Sequence, residues 1–301
     1  MYVSLADKIR QLRKERNAII LAHNYQRGEV QDIADYVGDS LGLSQTAAKS
    51  DAEVIVFCGV DFMAETATIL CPEKIVLMPD PQARCPMAHR ITASALRALK
   101  NAHPAASVVS YVNTSAEIKA ESDICCTSSN AVKVVESLYG SEVIFVPDKY
   151  LAHYISTQTH KRIIPWNGFC PTHVKILPEH VQNEKRLHPN ATVIVHPECT
   201  PPVIALADAV LSTGGMCNYA NESKSCEIIV GTEVGLLHRL RKENPSKKFY
   251  PASKVAICPN MRSTTLEKVL WSLEDMTHQI NVPMNIRTKA KNAIDKMLVI
   301  R

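Results

Sequence analysis

Three of the ten cysteines hold the same place in an internal repeat, each directly before a proline: Cys85, Cys170 and Cys258. They lie 85 and 88 residues apart, so a pseudo-threefold fold would bring their sulfurs to one centre. Three thiolates around one centre suit a 4Fe-4S cluster with one open iron, or a Cys₃ zinc with bound water. Either metal would keep one coordination position open, as catalytic metal sites do, and the spacing of the cysteines does not distinguish iron from zinc. The other seven cysteines lack this equivalence, and core packing or accident accounts for them better.

Polar residues that could transfer protons or hold a ligand recur at matching points of the repeat, where a buried apolar run ends. Aligning the copies gives three sets: His23, Tyr111 and His196 at the ends of the runs; Tyr25, Asn113 and Glu198 two residues later; and Ser40, Ser128 and Thr213 seventeen residues after the first set. A single histidine or tyrosine at such a place is usually a core or surface group. Six groups in register are hard to explain by structure alone, and they predict acid-base chemistry and ligand binding.

The three hydroxyl residues of the last set lie in loops of small residues, at 38–40, 127–130 and 212–215. At the start of a helix, such a loop can bind carboxylate or phosphate through backbone N–H groups and the hydroxyl. The same residue types also cap helices without binding anything, which is the commoner role of any single loop. Because the loop occurs three times, a ligand with three anionic groups is predicted.

Each copy begins with a basic helix of period 3.6 that leads into a short apolar run typical of a buried parallel strand. These pairs are 5–16 with 18–23, 93–102 with 107–111, and 178–187 with 191–196. Two more strands follow in each copy, at 53–57 and 74–79, 142–146 and 161–165, and 227–230 and 248–251, and the helix between them starts near Asp61, Asp148 or Glu233. A further helix follows the hydroxyl loop, except in the third copy, where polar residues 216–225 show no periodicity and permit a lid.

Strands alternating with helices predict an α/β fold with parallel sheets and right-handed connections. Ligands of such sheets sit at the carboxyl ends of the strands, where all nine aligned residues and the three cysteines fall. The predicted units are 1–85, 86–170 and 171–258, with their strand ends at one shared centre that forms the active site. Residues 259–301 add C-terminal helices that pack back on the repeats.

Composition excludes several classes of protein. The 301 residues are 46% hydrophobic and 21% charged, which excludes disordered, collagenous and coiled-coil chains. The 34 basic and 30 acidic residues give a net charge of +4 without a long basic run, so no nucleic-acid partner is expected. No apolar stretch approaches the ~18 residues of a membrane span, and no signal peptide precedes the first helix. We therefore expect a cytoplasmic protein without a membrane partner.

Several stretches together resemble the quinolinate synthase family, the A proteins of bacterial and archaeal NAD biosynthesis. The matching stretches cover nearly the whole chain and lie at 22–26, 32–35, 38–40, 59–66, 111–113, 196–199 and 212–214. The resemblance implies three similar three-layer α/β/α domains around one 4Fe-4S cluster held by three cysteines. It also implies condensation of iminoaspartate with dihydroxyacetone phosphate to quinolinate, phosphate and water. The resemblance therefore favours iron over zinc.

Carried over by position, the resemblance makes Cys85, Cys170 and Cys258 the cluster ligands. It implies a substrate-binding set of His23, Ser40, Tyr111, Asn113, Ser128, His196, Glu198 and Thr213. We assign proton transfer to Tyr25, His196 and Glu198, and orientation of the reacting substrate to Tyr111 and Asn113, so that Tyr111 also counts among the catalytic residues. Some bacterial members carry Cys-x-x-Cys-x-x-Cys around the third ligand, whereas here only Cys258 is present and no thiol-disulfide switch is expected.

Two other functions fit parts of the pattern. A Cys₃ zinc hydrolase or lyase would use the same pocket without visible absorption. An electron-transfer or cluster-storage protein would have no need of three anion loops, and those loops count against it. If the family assignment holds, an L-aspartate oxidase or dehydrogenase that supplies iminoaspartate is the expected functional partner.

Overall fold

Three four-stranded parallel sheets form the frame of the computed structural model, which describes residues 4–300. In each sheet the first strand in the chain lies between the second and the third, and the fourth lies outside the third. The repeated strand order and the parallel pairing confirm the predicted α/β fold with three similar units.

The first sheet and its helices are α1 (Leu5–Glu15), β1 (Ala18–His23), α2 (Gly28–Ile33), β2 (Tyr36–Gly38), α3 (Ser40–Lys49), β3 (Val54–Cys58), α4 (Asp61–Leu70) and β4 (Ile75–Leu77). Helix α1 begins at the Ser4 N-cap, whose hydroxyl accepts the N–H of Asp7 at 3.1 Å. Basic residues in its last turn suit the negative end of the helix dipole. Local sequence thus sets both ends of the helix that precedes the first buried strand.

The second sheet repeats this order with α5 (Ala93–Ala102), β5 (Ser107–Tyr111), α6 (Ala116–Ala120), β6 (Ile124–Cys126), α7 (Ala131–Glu136), β7 (Glu142–Val146), α8 (Lys149–Ser156) and β8 (Arg162–Pro165). Its central strands β5 and β7 are almost entirely buried. Such apolar runs are typical of parallel strands covered on both faces.

The third sheet contains α9 (Pro178–Leu187), β9 (Thr192–Val195), α10 (Pro201–Ile204), β10 (Ala209–Val210), α11 (Thr213–Glu222), β11 (Glu227–Gly231), α12 (Leu236–Glu243) and β12 (Lys248–Pro251). Two helices complete the chain, α13 (Leu266–Asp275) and α14 (Met284–Leu298). Helix α13 packs against α1, and α14 packs against α6 and β6. The predicted unit boundaries at 85/86, 170/171 and 258/259 fall between β4 and α5, β8 and α9, and β12 and α13.

The core consists of one shared cluster and three outer clusters. Successive strand residues point to opposite faces of a sheet, so in β1 Leu21 joins the shared cluster while Ile20 packs with Ile9 of α1 in an outer one. The other outer clusters surround Leu96 and Val181. Because the shared cluster draws residues from all three sheets, their inner faces meet at the centre of the molecule.

Two features differ from the sequence prediction. The short strands β2, β6 and β10 were not expected, because two or three residues give no usable periodicity. The polar segment of the third copy is also not irregular, since residues 213–222 form helix α11 and bury Met216, Cys217 and Ala220. Two glycines and two asparagines weaken the helix signal there, and tertiary packing outweighs that propensity. None of the helices within residues 4–300 has the length and apolar composition needed to cross a membrane.

Candidate active site

One cavity lies where the carboxyl ends of the three sheets converge. All twelve predicted site residues line it: His23, Tyr25, Ser40, Cys85, Tyr111, Asn113, Ser128, Cys170, His196, Glu198, Thr213 and Cys258. Strand β1 ends at His23, β5 ends at Tyr111, and His196 directly follows β9. The structure therefore brings the predicted residues together, while the role of each stays a prediction.

The three cysteines are held in equivalent ways. A carboxylate near the start of the preceding helix accepts the backbone N–H of each cysteine, at 3.1 Å from Asp61 to Cys85 and 3.1 Å from Asp148 to Cys170. The N–H of Cys258 donates to Glu233 at 3.2 Å. These acids were predicted only as helix starts, and their repeated contact fixes each cysteine turn.

Each cysteine also opens a turn whose N–H groups point back at its sulfur. A 3₁₀ turn begins three residues after every cysteine: Ala88–Arg90, His173–Lys175 and Met261–Ser263. Burial raises the pKa of all three thiols, to about 12 for Cys85, while N–H groups from the turns oppose that rise. Hydrogen bonds of this kind favour a thiolate and are part of the surroundings that tune a metal-sulfur centre.

The donor set fits a metal centre. Three thiolates in one buried cavity would repel one another, and a bound cation would remove that cost. Within residues 4–300, the only group of three metal-ligand atoms mutually within 4.8 Å is Cys170, His173 and Glu198, so the three sulfurs are spread more widely. Sulfurs on one tetrahedral zinc would lie roughly 4 Å apart, given Zn–S bonds of about 2.3 Å. The three cysteines therefore fit a metal centre by their chemistry, while their sulfurs do not form a compact single-ion site in this structure.

Two histidines that line the cavity share the same hydrogen-bond arrangement. The Nδ1 atom of His23 accepts the N–H of Tyr25 at 3.2 Å, and Nδ1 of His196 accepts the N–H of Glu198 at 3.3 Å. Burial lowers the pKa of both imidazoles to about 3, so they are neutral near pH 7. With Nδ1 accepting, the proton must sit on Nε2. In His196 that Nε2–H lies 3.2 Å from the hydroxyl of Ser128.

Glu198 is the centre of a buried hydrogen-bond network. Its Oε1 accepts the hydroxyl of Tyr111 at 2.7 Å, and its Oε2 lies 2.8 Å from Nδ1 of His173. Burial alone would raise the pKa of Glu198, but its electrostatic interactions with His173 and His196 and the hydrogen bonds from His173 and Tyr111 lower it to about 2. The carboxylate is therefore ionised at neutral pH.

Tyr25 joins the same network from the first sheet. Its hydroxyl lies 2.6 Å from the hydroxyl of Thr232, which is 2.8 Å from Nε2 of His173. Burial and the charge of Glu198 raise the pKa of Tyr25, so the phenol keeps its proton. When His173 is neutral with its proton on Nδ1, hydrogen bonds run in one direction from Tyr25 through Thr232 and His173 to Glu198.

The hydroxyl residues of the three loops are not helix caps. Helices α3 and α11 are capped by the preceding residues, since Asp39 accepts the N–H of Gly42 at 2.8 Å and Ser212 accepts the N–H of Gly215 at 3.1 Å. In the second loop the N-cap is Asn130, two residues after Ser128. Two of the loops therefore do cap helices, through Asp39 and Ser212, but Ser40, Ser128 and Thr213 are not the capping residues and line the cavity instead.

The cavity also contains an acceptor without a partner. The Oδ1 atom of Asn113 is buried and has no hydrogen bond among the described residues. Leaving a buried carbonyl oxygen unpaired costs about 1–3 kcal/mol. A ligand that donates a hydrogen bond at this point would remove that cost, which agrees with a binding role for Asn113.

Sequence comparison of the copies missed His173 and Thr232. His173 is 1% exposed and stacks on His196, with ring centroids 4.7 Å apart. Its counterparts three residues after the other cysteines are Ala88 and Met261, so a search for repeated polar residues could not find it. The available signal was a histidine three residues after a predicted metal ligand.

Comparison with known proteins covers almost the whole chain. A family model described as "Quinolinate synthetase A protein" matches residues 7–299. The chain is 60% identical over 294 residues to a quinolinate synthase of Dehalococcoides mccartyi (strain CBDB1), covering 98% of this chain and 97% of the relative. It is 57% identical over 297 residues to a quinolinate synthase of Methanosarcina barkeri (strain Fusaro / DSM 804), covering 99% and 98%. A quinolinate synthase of Thermodesulfovibrio yellowstonii is 55% identical over 295 residues, covering 98% and 97%.

Proposed function

Because this chain belongs to the quinolinate synthetase A protein family, whose members are enzymes of NAD biosynthesis, we propose that it condenses iminoaspartate with dihydroxyacetone phosphate to give quinolinate, phosphate and water. The observation that carries the proposal is the single cavity at the meeting point of three sheets. Three thiols, three loop hydroxyls and a set of acid-base groups all line it.

The chemistry of the two substrates matches the donors of the cavity. Iminoaspartate has two carboxylates and the triose has one phosphate, which gives three anionic groups for three hydroxyl loops. The Nε2–H of His23 is a neutral donor that can bind an anion without losing its proton, whereas that of His196 donates to Ser128 and leaves the Ser128 proton for the ligand. The unpaired Oδ1 of Asn113 can accept a hydrogen bond from the nitrogen of the substrate.

Cys85, Cys170 and Cys258 would hold the 4Fe-4S cluster. When bound, such a cluster supplies one iron without a protein ligand, which can act as a Lewis acid toward a substrate hydroxyl. The N–H groups that point at the three sulfurs stabilise the thiolate form of these ligands.

The remaining steps need groups that move protons. Formation of the ring requires a carbon–carbon bond, an imine and the loss of water, and each involves proton transfer at the substrate. Glu198 is ionised and can accept a proton, whereas Tyr25 keeps its proton and can donate it. Tyr111 is held by Glu198 and orients the substrate beside it. The network through Thr232 and His173 connects the donor with the acceptor.

The decisive experiment is anaerobic purification followed by a visible spectrum and iron and sulfide analysis. We expect about four irons and four sulfides per chain, as a 4Fe-4S cluster requires, together with quinolinate formation from the two substrates. Cys→Ser variants at 85, 170 and 258 should lose the brown colour, while the exposed Cys226→Ser should keep it. One zinc per chain without sulfide would favour the hydrolase or lyase alternative, and a colourless Cys226→Ser protein would contradict the ligand assignment.

A second experiment tests the anion loops. The variants Ser40→Ala, Ser128→Ala and Thr213→Val each remove one hydroxyl, and each should weaken binding by about 1.5–3 kcal/mol if that hydroxyl bonds a charged group. None of these hydroxyls caps a helix, so folding should change little. Unchanged KM values for both substrates in all three variants would refute the loop assignment.

The proposal also covers the setting of the reaction. All ten cysteines are thiols, a state that the reducing cytoplasm maintains. The partners are the two small-molecule substrates, and an L-aspartate oxidase or dehydrogenase would supply iminoaspartate.

A further inference from the structure

One loop hydroxyl, that of Thr213, differs from the other two in its protein partner. The Nδ2 atom of Asn24 donates a hydrogen bond to Thr213 Oγ1 at 3.0 Å, and the two residues are 0% and 3% exposed. In contrast, Ser128 shares its hydroxyl with His196. Asn24 follows β1 of the first sheet, whereas Thr213 opens α11 of the third, so the bond crosses between two units.

The orientation of the Asn24 amide is fixed by a third residue. Nη1 of Arg239, on α12, donates to Asn24 Oδ1 at 3.0 Å and to the carbonyl of Val37 at 2.8 Å. A guanidinium can only donate, so the oxygen of the amide must face Arg239 and the NH₂ group must face Thr213. The polarity of this chain therefore follows from chemistry and not from a choice between two amide orientations.

This polarity decides what the Thr213 hydroxyl can do. A hydroxyl has one proton and two lone pairs, and Asn24 occupies a lone pair. In the part of the chain that the structure describes, Thr213 donates its proton to no other protein group, and its side chain lines the cavity. The hydroxyl is thus set as a donor toward a ligand.

We propose that Asn24 and Arg239 are positioning residues that make the Thr213 hydroxyl a dedicated hydrogen-bond donor to an anionic group of the substrate. The inference deepens the proposed function and rests on its assignment of anions to the hydroxyl loops. The aligned residues of the other two copies are Val112 and Pro197, so an asparagine at position 24 is not needed to form the repeated fold. The contact between units also means that the donor is complete only when the first and third sheets are packed together.

The variant Asn24→Asp tests the direction of this hydrogen bond. A carboxylate keeps the shape of the side chain and still accepts from Arg239, but it cannot donate to Thr213. The Thr213 hydroxyl would then donate to the new carboxylate and turn its lone pairs toward the ligand. We expect the cluster-loaded variant to bind quinolinate about 10- to 100-fold more weakly than wild type, as for loss of a hydrogen bond to a charged group, and to match Thr213→Val.

A double variant separates this effect from the added negative charge. If the loss acts through the hydroxyl, Asn24→Asp combined with Thr213→Val should bind quinolinate no more weakly than Thr213→Val alone. A further loss in the double variant would mean simple charge repulsion and would overturn the proposal. Thr213→Ser keeps the hydroxyl and should retain binding. The matched control is Asn244→Asp, a buried asparagine whose Nδ2 donates to Asn221 at 2.9 Å outside the cavity, and it should bind quinolinate like wild type.

Arg239→Met provides an independent test that leaves Asn24 in place. Without the guanidinium the amide is free to turn, so we expect a smaller loss of quinolinate affinity, about 3- to 10-fold, with an intact cluster spectrum. Wild-type affinity in both Asn24→Asp and Arg239→Met would overturn the inference while leaving the proposed function standing. Wild-type protein that binds neither quinolinate nor inorganic phosphate would instead remove the proposed function, and with it the ligand assigned here.

Discussion

Replacing Glu198 with glutamine tests the acid-base network most directly. Glu198 is 3% exposed and is held by Tyr111 at 2.7 Å and by His173 at 2.8 Å. Glutamine has the same volume, and its carbonyl can still accept from Tyr111. Its NH₂ group can donate to Nδ1 of His173 if the ring changes tautomer. The substitution therefore removes the charge while both contacts can persist.

The expected magnitudes for structure and for catalysis differ widely. With both contacts kept, the free energy of unfolding should change by about 1 kcal/mol, the value of an ordinary hydrogen bond. A carboxylate that accepts a proton contributes about 10²- to 10⁴-fold to turnover, which corresponds to about 2.7–5.4 kcal/mol of barrier. Because the pKa of Glu198 is lowered to about 2, the wild-type carboxylate is ionised throughout the neutral range, so the loss of turnover should not depend on the assay pH within that range.

The assay is anaerobic quinolinate formation by cluster-loaded Glu198→Gln, with the visible spectrum and a thermal melt as checks on integrity. The matched control is Glu227→Gln, because Glu227 also accepts a tyrosine hydroxyl, that of Tyr250 at 3.1 Å, but does not line the cavity. The control should keep wild-type turnover. Wild-type turnover in Glu198→Gln with an intact cluster would refute the reasoning and leave Glu198 as a structural residue.

Three further predictions follow from buried groups. Burial lowers the pKa of His23 and His196 from 6.5 to about 3, so lowering the pH from 8 to about 5 should protonate neither. His→Gln at either position should therefore leave the shape of the kcat/KM pH profile unchanged, and a step near 6.5 that either substitution removes would contradict this. Lys119 is 0% exposed, donates to the carbonyl of Thr114 and lies near the Glu65 carboxylate without a direct ion pair. Lys119→Met should lower the free energy of unfolding by about 1–3 kcal/mol in a denaturant titration, because it leaves buried polar groups without their partner. Adding Glu65→Gln should restore part of this loss, whereas a double variant as unstable as the single one would show that the loss comes from the Thr114 contact alone. Asn130 donates to the carbonyls of Met297 and Ile300 at 3.3 and 3.1 Å. Asn130→Asp removes this donor, so the free energy of unfolding should fall by about 1–3 kcal/mol as the end of the chain loosens from the loop of Ser128. An unchanged Tm would show that this contact is unimportant.

The sequence predicted most of the regular elements of the three units. Helices such as Ala93–Ala102 and strands such as Ser107–Tyr111 agree with the structure to the residue, because apolar spacing over ten or five residues is a local signal. Repeat alignment also predicted which residues end the strands. In parallel sheets those ends face one side, so the aligned residues had to lie near one another once the sheets were oriented toward a common centre.

Elements that depend on neighbours were not predictable. Strand β2 exists because residues 36–38 pair with the end of β1, and nothing in three residues indicates it. Helix α11 contains weak helix formers, and the burial of Met216, Cys217 and Ala220 in the shared core stabilises it. In both cases the stabilising contact comes from another part of the chain, so a local pattern could not reveal it.

The sequence by itself therefore determined the fold class, the threefold repeat and the candidate ligands, since each of these is encoded by local periodicity and by equivalence between copies. Only the tertiary structure decided which residues of the site are connected by hydrogen bonds. His173 and Thr232 have no repeated counterparts, and Asn24 meets Thr213 across 189 residues of chain. Such contacts depend on how one sheet sits against another, and the direction of each hydrogen bond depends on every partner around it.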